Sequence, residues 1–415
     1  MSADLGPVLK AAYPQVVASL TRVLGDIDRA MDATQDALVK ALQKWPESGV
    51  PDQPVAWLVT VGRNGAIDVL RRDAKVVSID QGNSLERDIG LEDDATIEVN
   101  ELSLSEIDDD LLRLMFVCCD PVLTPTSQIT LILKVVLGFS VEEIARALLS
   151  SPGNVEKRIT RAKQKIKRQA NGYPNPRKED IPARLNSVLQ AIYLLFNEGY
   201  SRVQDGNLQR SNLVDEAIRL ARIACRLIRK HPDPRSLLAL MLLNTARMPA
   251  RMDGHGELVP LLEQDRKRWD ANLTSEGLAL VDAVFFARHP PSAYQIQAAI
   301  SALHNKATSA DTTDWHQIVG LYAKLSELDP SPVVVINWAA ALSMSEDPIG
   351  ALQRLETLQA QPSIDRYQPY HAARAHILSQ LGQQQEAVLS YKKAIALAGS
   401  IPQKNYLQSR LQAIL

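Results

Sequence analysis

With 415 residues the chain exceeds one ordinary hydrophobic core, and its length corresponds to about two to four packed domains. Its 46 Lys and Arg nearly balance 48 Asp and Glu, a formal charge of −2, which excludes a uniformly basic nucleic-acid binder and leaves only segregated charge for such a role. Three cysteines, two adjacent at Cys118 and Cys119, make neither a disulfide framework nor a metal-ligand spacing, and no leader pattern or membrane-spanning apolar run occurs, so a cytoplasmic chain is expected.

Residues 7–73 read as a helical domain. Asp26 opens a helix whose apolar side is Ile27, Ala30, Ala37, Leu38, Ala41, Leu42 and Trp45, with Asp28, Asp32, Gln35, Asp36 and Lys40 turned outward. PESGVPDQP ends it. A second helix starts at Pro54, a residue preset for a first helical turn, and buries Trp57, Leu58, Val61, Ile67 and Leu70. It exposes Arg63, Asn64, Asp68, Arg71 and Arg72, so its far end is basic. From Glu86 to Asp110 the acids are opposed only by Arg87, and like charges at this density repel and bury little. Residues 74–110 are therefore expected to form an extended, solvated acidic linker.

Helical patterning resumes at Leu111 through LLRLMFVCCDPVL and TSQITLILKVVLGF, with Cys118 and Cys119 on an apolar face as small buried hydrophobes. Ser140 followed by Glu142 and Glu143 is N-cap chemistry, and Ile144, Ala145 and Leu148 then recur at helical spacing. SSPGN interrupts, after which Val155, Ile159, Ala162 and Ile166 form one inward stripe. The outer face carries Lys157, Arg158, Arg161, Lys163, Lys165, Lys167 and Arg168 against Glu156 alone. Charged helix faces are usually plain solvated surface. The small Ala145, with Val155 spaced to pack on it, favours instead a helix-turn-helix whose second helix enters the major groove. Leu149 stands where such turns often carry Gly, so Pro152 and Gly153 are expected to make the turn.

After YPNPRKEDIP, residues 184–415 read as successive amphipathic helices separated by HPDP, RHPP, LDPSP and AQPS. Gly382, Ala387, Tyr391 and Ala394, with Ala375 before them, hold the spacing of a tetratricopeptide repeat. Ala351, Leu355 and Leu358 are equivalent upstream, and Ile318, Tyr322, Leu325 and Pro330 precede those. The steps from Ile318 to Ala351 and on to Ala387 are 33 and 36 residues, near the repeat length of about 34. Such units bury their faces only by stacking, and their concave side suits a peptide or protein partner. The chain is expected to be all-α.

No catalytic signature is present: HExxH, a Gly-rich phosphate loop and GxSxG are all missing, and the seven His are scattered. His371 and His376 fall on a helix that must pack, and read as satisfied side chains rather than ligands. NEGY and EQDRKRWD mix carboxylates with aromatics and read as inter-helix hydrogen bonding. A non-enzyme with no metal and no cofactor is expected.

The ordered set carries a resemblance. Asp32, Gln35 and Asp36 before Trp45, then Ala56-Trp57-Leu58, Arg63-Asn64, Ile67-Asp68 and Arg71-Arg72, resemble region two of extracytoplasmic-function sigma factors. LLRLMFVCCDPVLTP, GFSVEEIARALL and RITRAKQKIKR resemble region four of that family, and the residues from Tyr193 to Tyr200 and from Glu263 to Asp270 resemble its subgroup with a long C-terminal helical-repeat extension. Met31 stands where the family usually has an acid, and Asp120 where the subgroup usually has His.

The resemblance implies a dissociable subunit that binds core RNA polymerase and directs it to promoters. It implies that Asp32, Gln35 and Asp36 dock on the polymerase, and that Gln53, Trp57, Arg63, Asn64, Asp68, Arg71 and Arg72 engage the minus-ten element. Asn154, Lys157, Arg158, Arg161, Lys163 and Lys165 would engage the minus-thirty-five element, with residues 7–73 as region two, 74–110 as linker, 111–170 as region four and 184–415 as a regulatory extension. The alternative is a stand-alone helix-turn-helix regulator whose repeats bind an effector. Such a regulator has no use for an acid-lined docking helix in its first domain.

Overall fold

The computed structural model describes residues 5–80, 104–148, 150–168, 181–203, 211–254, 256–285, 290–361 and 363–415. These are helical throughout, with a single isolated β-bridge between Met252 and Leu258 and no strand among the described residues. The chain divides into two units, Met1–Leu194 and Leu195–Leu415.

In the first unit, α1 (Gly6–Leu24), α2 (Ile27–Ser48) and α3 (Pro54–Asp80) enclose a core of Leu9, Val16, Leu20, Ala30, Ala37, Ala41, Trp45, Leu58 and Val59. Gly25, at φ 66°, ends α1, and the Asp26 carboxylate accepts from the amides of Asp28 and Arg29 to start α2. Gly62 lets α3 cross close to α2, because a Cβ there would sit 3.0 Å from the Ala33 carbonyl oxygen. Leu42 was expected inward and is instead 52% exposed beside Val39 at 53%. The buried stripe of α2 runs through Ala37, Ala41 and Trp45, and Leu42 lies about 100° round the helix from Ala41.

α4 (Leu104–Cys118) begins inside the stretch expected to be extended linker, whose central part, residues 81–103, lies outside the described residues. Asp110 is buried, accepting from Ser19 Oγ at 3.1 Å and pairing with Arg22 at 3.1 Å. Partners on α1, ninety residues earlier in the chain, offset the desolvation that the local run of acids would otherwise impose.

α5 (Pro125–Leu131) passes into a π-helical turn (Ile132–Val136), and Gly138 at φ 67° packs on the Tyr13 ring. α6 (Val141–Ala147) opens with a reciprocal capping box: the Glu143 amide donates to Ser140 Oγ at 3.1 Å, and the Ser140 amide to Glu143 Oε2 at 2.9 Å. α7 (Pro152–Lys167) follows. Pro152 and Gly153 are not the turn. Ser151 is the N-cap, accepting from the Asn154 amide, and Pro152 occupies the first helical position, where its missing N–H costs nothing. Cys118 and Cys119 are fully buried, and burial pushes the Cys118 thiol up to about 12 and raises Cys119 well above its usual range.

α8 (Ile181–Val203) ties its first turns to the α4–α5 corner. Arg184 donates to the Phe116 carbonyl at 2.8 Å and pairs with Asp120 at 3.3 Å. Ser187 Oγ donates at 2.6 Å to Gln128 Oε1, and Gln128 Nε2 donates to the carbonyls of Cys119 and Asp120.

The second unit continues with α9 (Ser211–Leu227), α10 (Asp233–Ala246), α11 (Ala271–Phe285), α12 (Ala293–Lys306), α13 (Trp315–Leu328), α14 (Pro332–Met344), α15 (Pro348–Glu356), α16 (Gln368–Gln380), α17 (Gln384–Ala396) and α18 (Ile401–Gln412). Its cores each draw on three successive helices: Ile296, Ile318 and Val334 from α12 to α14; Ala339, Leu355 and Ile377 from α14 to α16; Ala375, Tyr391 and Leu407 from α16 to α18. This is the stacking that a tetratricopeptide-like array requires. The repeat positions Ile318, Ala351, Leu355, Ala375, Ala387 and Ala394 are all buried.

EQDRKRWD is a hydrogen-bonding hub. Arg266 donates to the carbonyls of His304 and Ala307 and to Thr313 Oγ1, Arg268 reaches Pro249 and Met252, and Asp270 caps α11 through the amides of Asn272 and Leu273. At NEGY, a Cβ on Gly199 would meet Leu213 and Val214 at 2.9 to 3.0 Å, so that glycine permits α9 to pack on α8. His371 is buried and bonded at 2.9 Å to the Asp365 carbonyl. No helix among the described residues is long and apolar enough to cross a membrane, and no group of three or more His, Cys, Asp or Glu among them is arranged to hold a metal ion.

Candidate nucleic-acid interface

α7 is positioned by its apolar stripe. Val155, Ile159, Ala162 and Ile166 are buried against α5 and α6, which forces the opposite face outward. Asn154, Lys157, Arg161 and Lys165 are exposed on it, and half-buried Arg158 leans back to within 3.5 Å of Thr130 Oγ1 on α5. A hollow of about 300 Å³ lies between this face and Thr124 and Ser127, with Lys157, Arg158, Arg161 and Lys165 on its wall. Four cations round one hollow attract phosphate, and the exposed first turn of α7 carries Asn154, an amide that can hydrogen-bond a base edge.

Lys163 is held differently. Its Nζ donates to Asp28 Oδ1 at 2.6 Å and lies 3.6 Å from Met31 Sδ, and only 20% of its side chain is exposed. Lys167, one turn on, is 3.9 Å from Asp26. The face of the basic helix bearing Lys163 and Lys167 is therefore engaged with the start of α2, while the face bearing Asn154, Lys157, Arg161 and Lys165 is open. Nothing local in the sequence announces this pairing, which spans 135 residues. The only signal is complementarity between an acid pair, Asp26 and Asp28, and a lysine pair one helical turn apart.

On α2, Asp32, Gln35 and Asp36 are exposed on one face, which continues into Val39 and Leu42. Around α3, Gln53 is exposed just before the helix, and Asn64 and Asp68 are exposed along it. Arg63 is half-buried. Trp57 packs on Trp45 with ring centroids 5.4 Å apart, so it is in part a core residue. The side chains of Arg71 and Arg72 lie outside the described residues.

Residues 8–76 match sigma-70 region 2, residues 117–166 match sigma-70, region 4, and residues 184–285 match a family of unknown function (DUF6596). An uncharacterized protein of Rhizobium meliloti (strain 1021) is 40% identical over 403 residues, covering 97% of this chain and 94% of its own. The crystal structure of the yeast Tom70 aligns with 16% identity over 99% of this chain and 82% of that one, at a TM-score of 0.37 that is too low to bear on the fold. Region 2 and a region 4 helix-turn-helix in one chain, followed by stacked helical repeats, supply what a promoter-specificity subunit needs to bind core RNA polymerase and promoter DNA. The chain belongs to the extracytoplasmic-function-like sigma factors of the sigma-70 family that carry a tetratricopeptide-like C-terminal extension, and its function is promoter-specific transcription initiation.

Proposed function

We propose that the exposed face of α7 reads and holds the minus-thirty-five element, with Asn154, Lys157, Arg158, Arg161 and Lys165 on the DNA and Lys163 joining them once it leaves Asp28. The observation that carries this is the open cationic hollow beside the capped start of α7. Asp32, Gln35 and Asp36, flanked by exposed Val39 and Leu42, form the docking face for core polymerase, charged at one end and apolar at the other. Gln53, Trp57, Arg63, Asn64, Asp68, Arg71 and Arg72 serve the minus-ten element, where capturing an unstacked base beside a cationic helix costs a few kcal/mol.

Residues 7–73 and 111–170 then act as the two promoter-binding domains, 74–110 as their connection, and 184–415 as the regulatory extension. Its work is binding in the cytoplasm rather than bond-making. The extension is a positive requirement on this reading, because Arg184 and Ser187 supply bonds that region four otherwise lacks.

The test is in vitro transcription with purified core polymerase. Truncation after Ala170 should leave core binding intact and transcription poor, and full or raised activity of the truncated chain would reverse the sign of the regulation. Asp32→Lys with Asp36→Lys should weaken pull-down of core without lowering helicity; unchanged capture would remove that face from the docking surface.

A further inference from the structure

The second unit closes on itself. α18 reaches the segment before α11, where Asn405 Nδ2 donates to Glu257 Oε1 at 2.8 Å and Arg410 lies 4.0 Å from Glu263. Stacked repeats usually leave an open trough for an extended chain. Here α18 bars one side of it and leaves a cavity of about 350 Å³, the lower end of the range for small-molecule sites. His304, Trp315, Tyr322, Asn337, Tyr406 and Arg410 line it.

Its electrostatics are one-sided. Behind His304 lie Arg247, buried, and Arg266, and neither guanidinium has a carboxylate partner among the described residues. Arg247 reaches only a backbone carbonyl and the Asn244 amide oxygen. Arg266 reaches carbonyls, a hydroxyl and the Trp269 ring. A buried cation without a counter-charge is costly, which applies to Arg247, while half-buried Arg266 bonds the His304 carbonyl from the same side. His304 is 8% exposed, and its Nδ1 has no hydrogen-bond partner. Burial and the two arginines keep its imidazole neutral, so it adds a polar group and no charge. The lone acid on the cavity, Glu263, is mostly exposed and already faces Arg410.

We propose that this cavity binds a small organic anion, a carboxylic acid on an apolar or aromatic body, with the carboxylate toward Arg410 and Asn337 and the body against Trp315, Tyr322 and Tyr406. Occupancy would bring a negative charge to Arg410, whose one carboxylate neighbour on the cavity, Glu263, is mostly exposed. It would also brace α18 against α13 and α14, and it supplies the input for the regulatory role given above, on which its biological meaning rests.

The experiment is calorimetric titration of the full chain, without polymerase or DNA, with phenylacetate, indole-3-acetate and octanoate, each against its neutral amide. At least one acid should bind at one site and at least tenfold tighter than its amide. Arg410→Gln should weaken that binding at least tenfold, and Ala340→Trp, which fills the cavity from an exposed position, should abolish it at unchanged helicity. Three silent acids, equal binding of acid and amide, or binding that survives Ala340→Trp would each overturn the proposal. So would capture of a peptide with an aromatic C-terminal residue where the free acids fail, which would assign the cavity to protein termini. Failure here leaves the transcription reading standing, and failure of the truncation test leaves the binding result standing.

Discussion

Opening the contact between α7 and α2 should increase DNA affinity. Lys163 and Asp28 form a 2.6 Å ion pair in which the lysine is 20% exposed and the carboxylate 49%. At that separation the Coulomb energy with an effective dielectric of about 20 is about 6 kcal/mol, yet solvent screening and side-chain ordering reduce such half-exposed pairs to a net of about 1 kcal/mol. The longer, exposed Lys167–Asp26 pair adds at most a few tenths. If DNA must take Lys163 from Asp28, then Asp28→Asn removes about 1 kcal/mol of competition, a gain of about fivefold in affinity. The phosphate term is sequence-independent, so fluorescence anisotropy with any duplex of about 30 base pairs at fixed low salt reads it. Lys163→Ala loses both the competitor and the phosphate contact and should be close to neutral, so the double-mutant cycle isolates the coupling. An Asp28→Asn chain that binds within twofold of the parent, with a coupling below about 0.3 kcal/mol, would refute competition between α2 and DNA for this lysine.

Arg161→Ala should weaken duplex binding and flatten the dependence of log affinity on log salt by about 0.9, and an unchanged slope would take Arg161 off the phosphates. His304 should make the second unit acid-sensitive: burial, with Arg247 and Arg266 behind it, lowers its folded pKa from 6.5 to about 3. Between those values the unfolded chain takes up a proton that the folded chain refuses, so stability is full above about pH 6.5 and falls by about 1.4 kcal/mol per pH unit below it. Denaturant melts from about pH 7 to about pH 4 should show this slope, and an equal slope in His304→Gln would rule the residue out. Gly62→Ala should destabilise the first unit by about 1 to 3 kcal/mol despite alanine's better helix propensity, because its Cβ would press on the Ala33 carbonyl and Leu20. A thermal midpoint at or above the parent's would mean that α3 can back away.

What the sequence made legible is what repeats within a helical turn or two. The α7 stripe, the N-cap at Ser140, the helix start at Asp26 and the buried repeat positions all follow from local spacing, and the structure has each of them. What it hid depends on partners far along the chain. The acidic run up to Asp110 argues against helix on its own terms, and Ser19 and Arg22, about ninety residues earlier, together with Arg113 one turn on, partner Asp110 as a buried helical residue. Leu42 reads as core by composition, but its neighbour Ala41 takes the inward position, and the leucine becomes surface next to Asp32 and Asp36. Lys163 looks like its neighbours in a row of cations and is set apart only by Asp28. The closure of the repeat array by α18 is of the same kind, since no periodicity relates Asn405 to Glu257.

Asp120 ties the first turns of α8 to region four within the first unit. Its carboxylate faces Arg184 at 3.3 Å, with side chains 11% and 9% exposed. Arg184 also donates to the Phe116 carbonyl, so its fork holds both the end of α4 and the corner that follows it. Ser187, one turn along α8, holds Gln128 on α5, and two residues on, Thr130 meets Arg158 of α7. α8 is thus bonded to the helix on which Arg158 rests. Arg184→Met keeps the bulk and removes the charge, leaving a buried carboxylate without this cation at a cost of about 3 kcal/mol. Adding Asp120→Asn should restore much of that loss, because a neutral amide beside the Val122 amide needs no cation opposite it. Urea melts of the full chain measure both steps. A single mutant within about 1 kcal/mol of the parent, or a double mutant no more stable than the single, would show that the ion pair does not fix the start of α8 to region four.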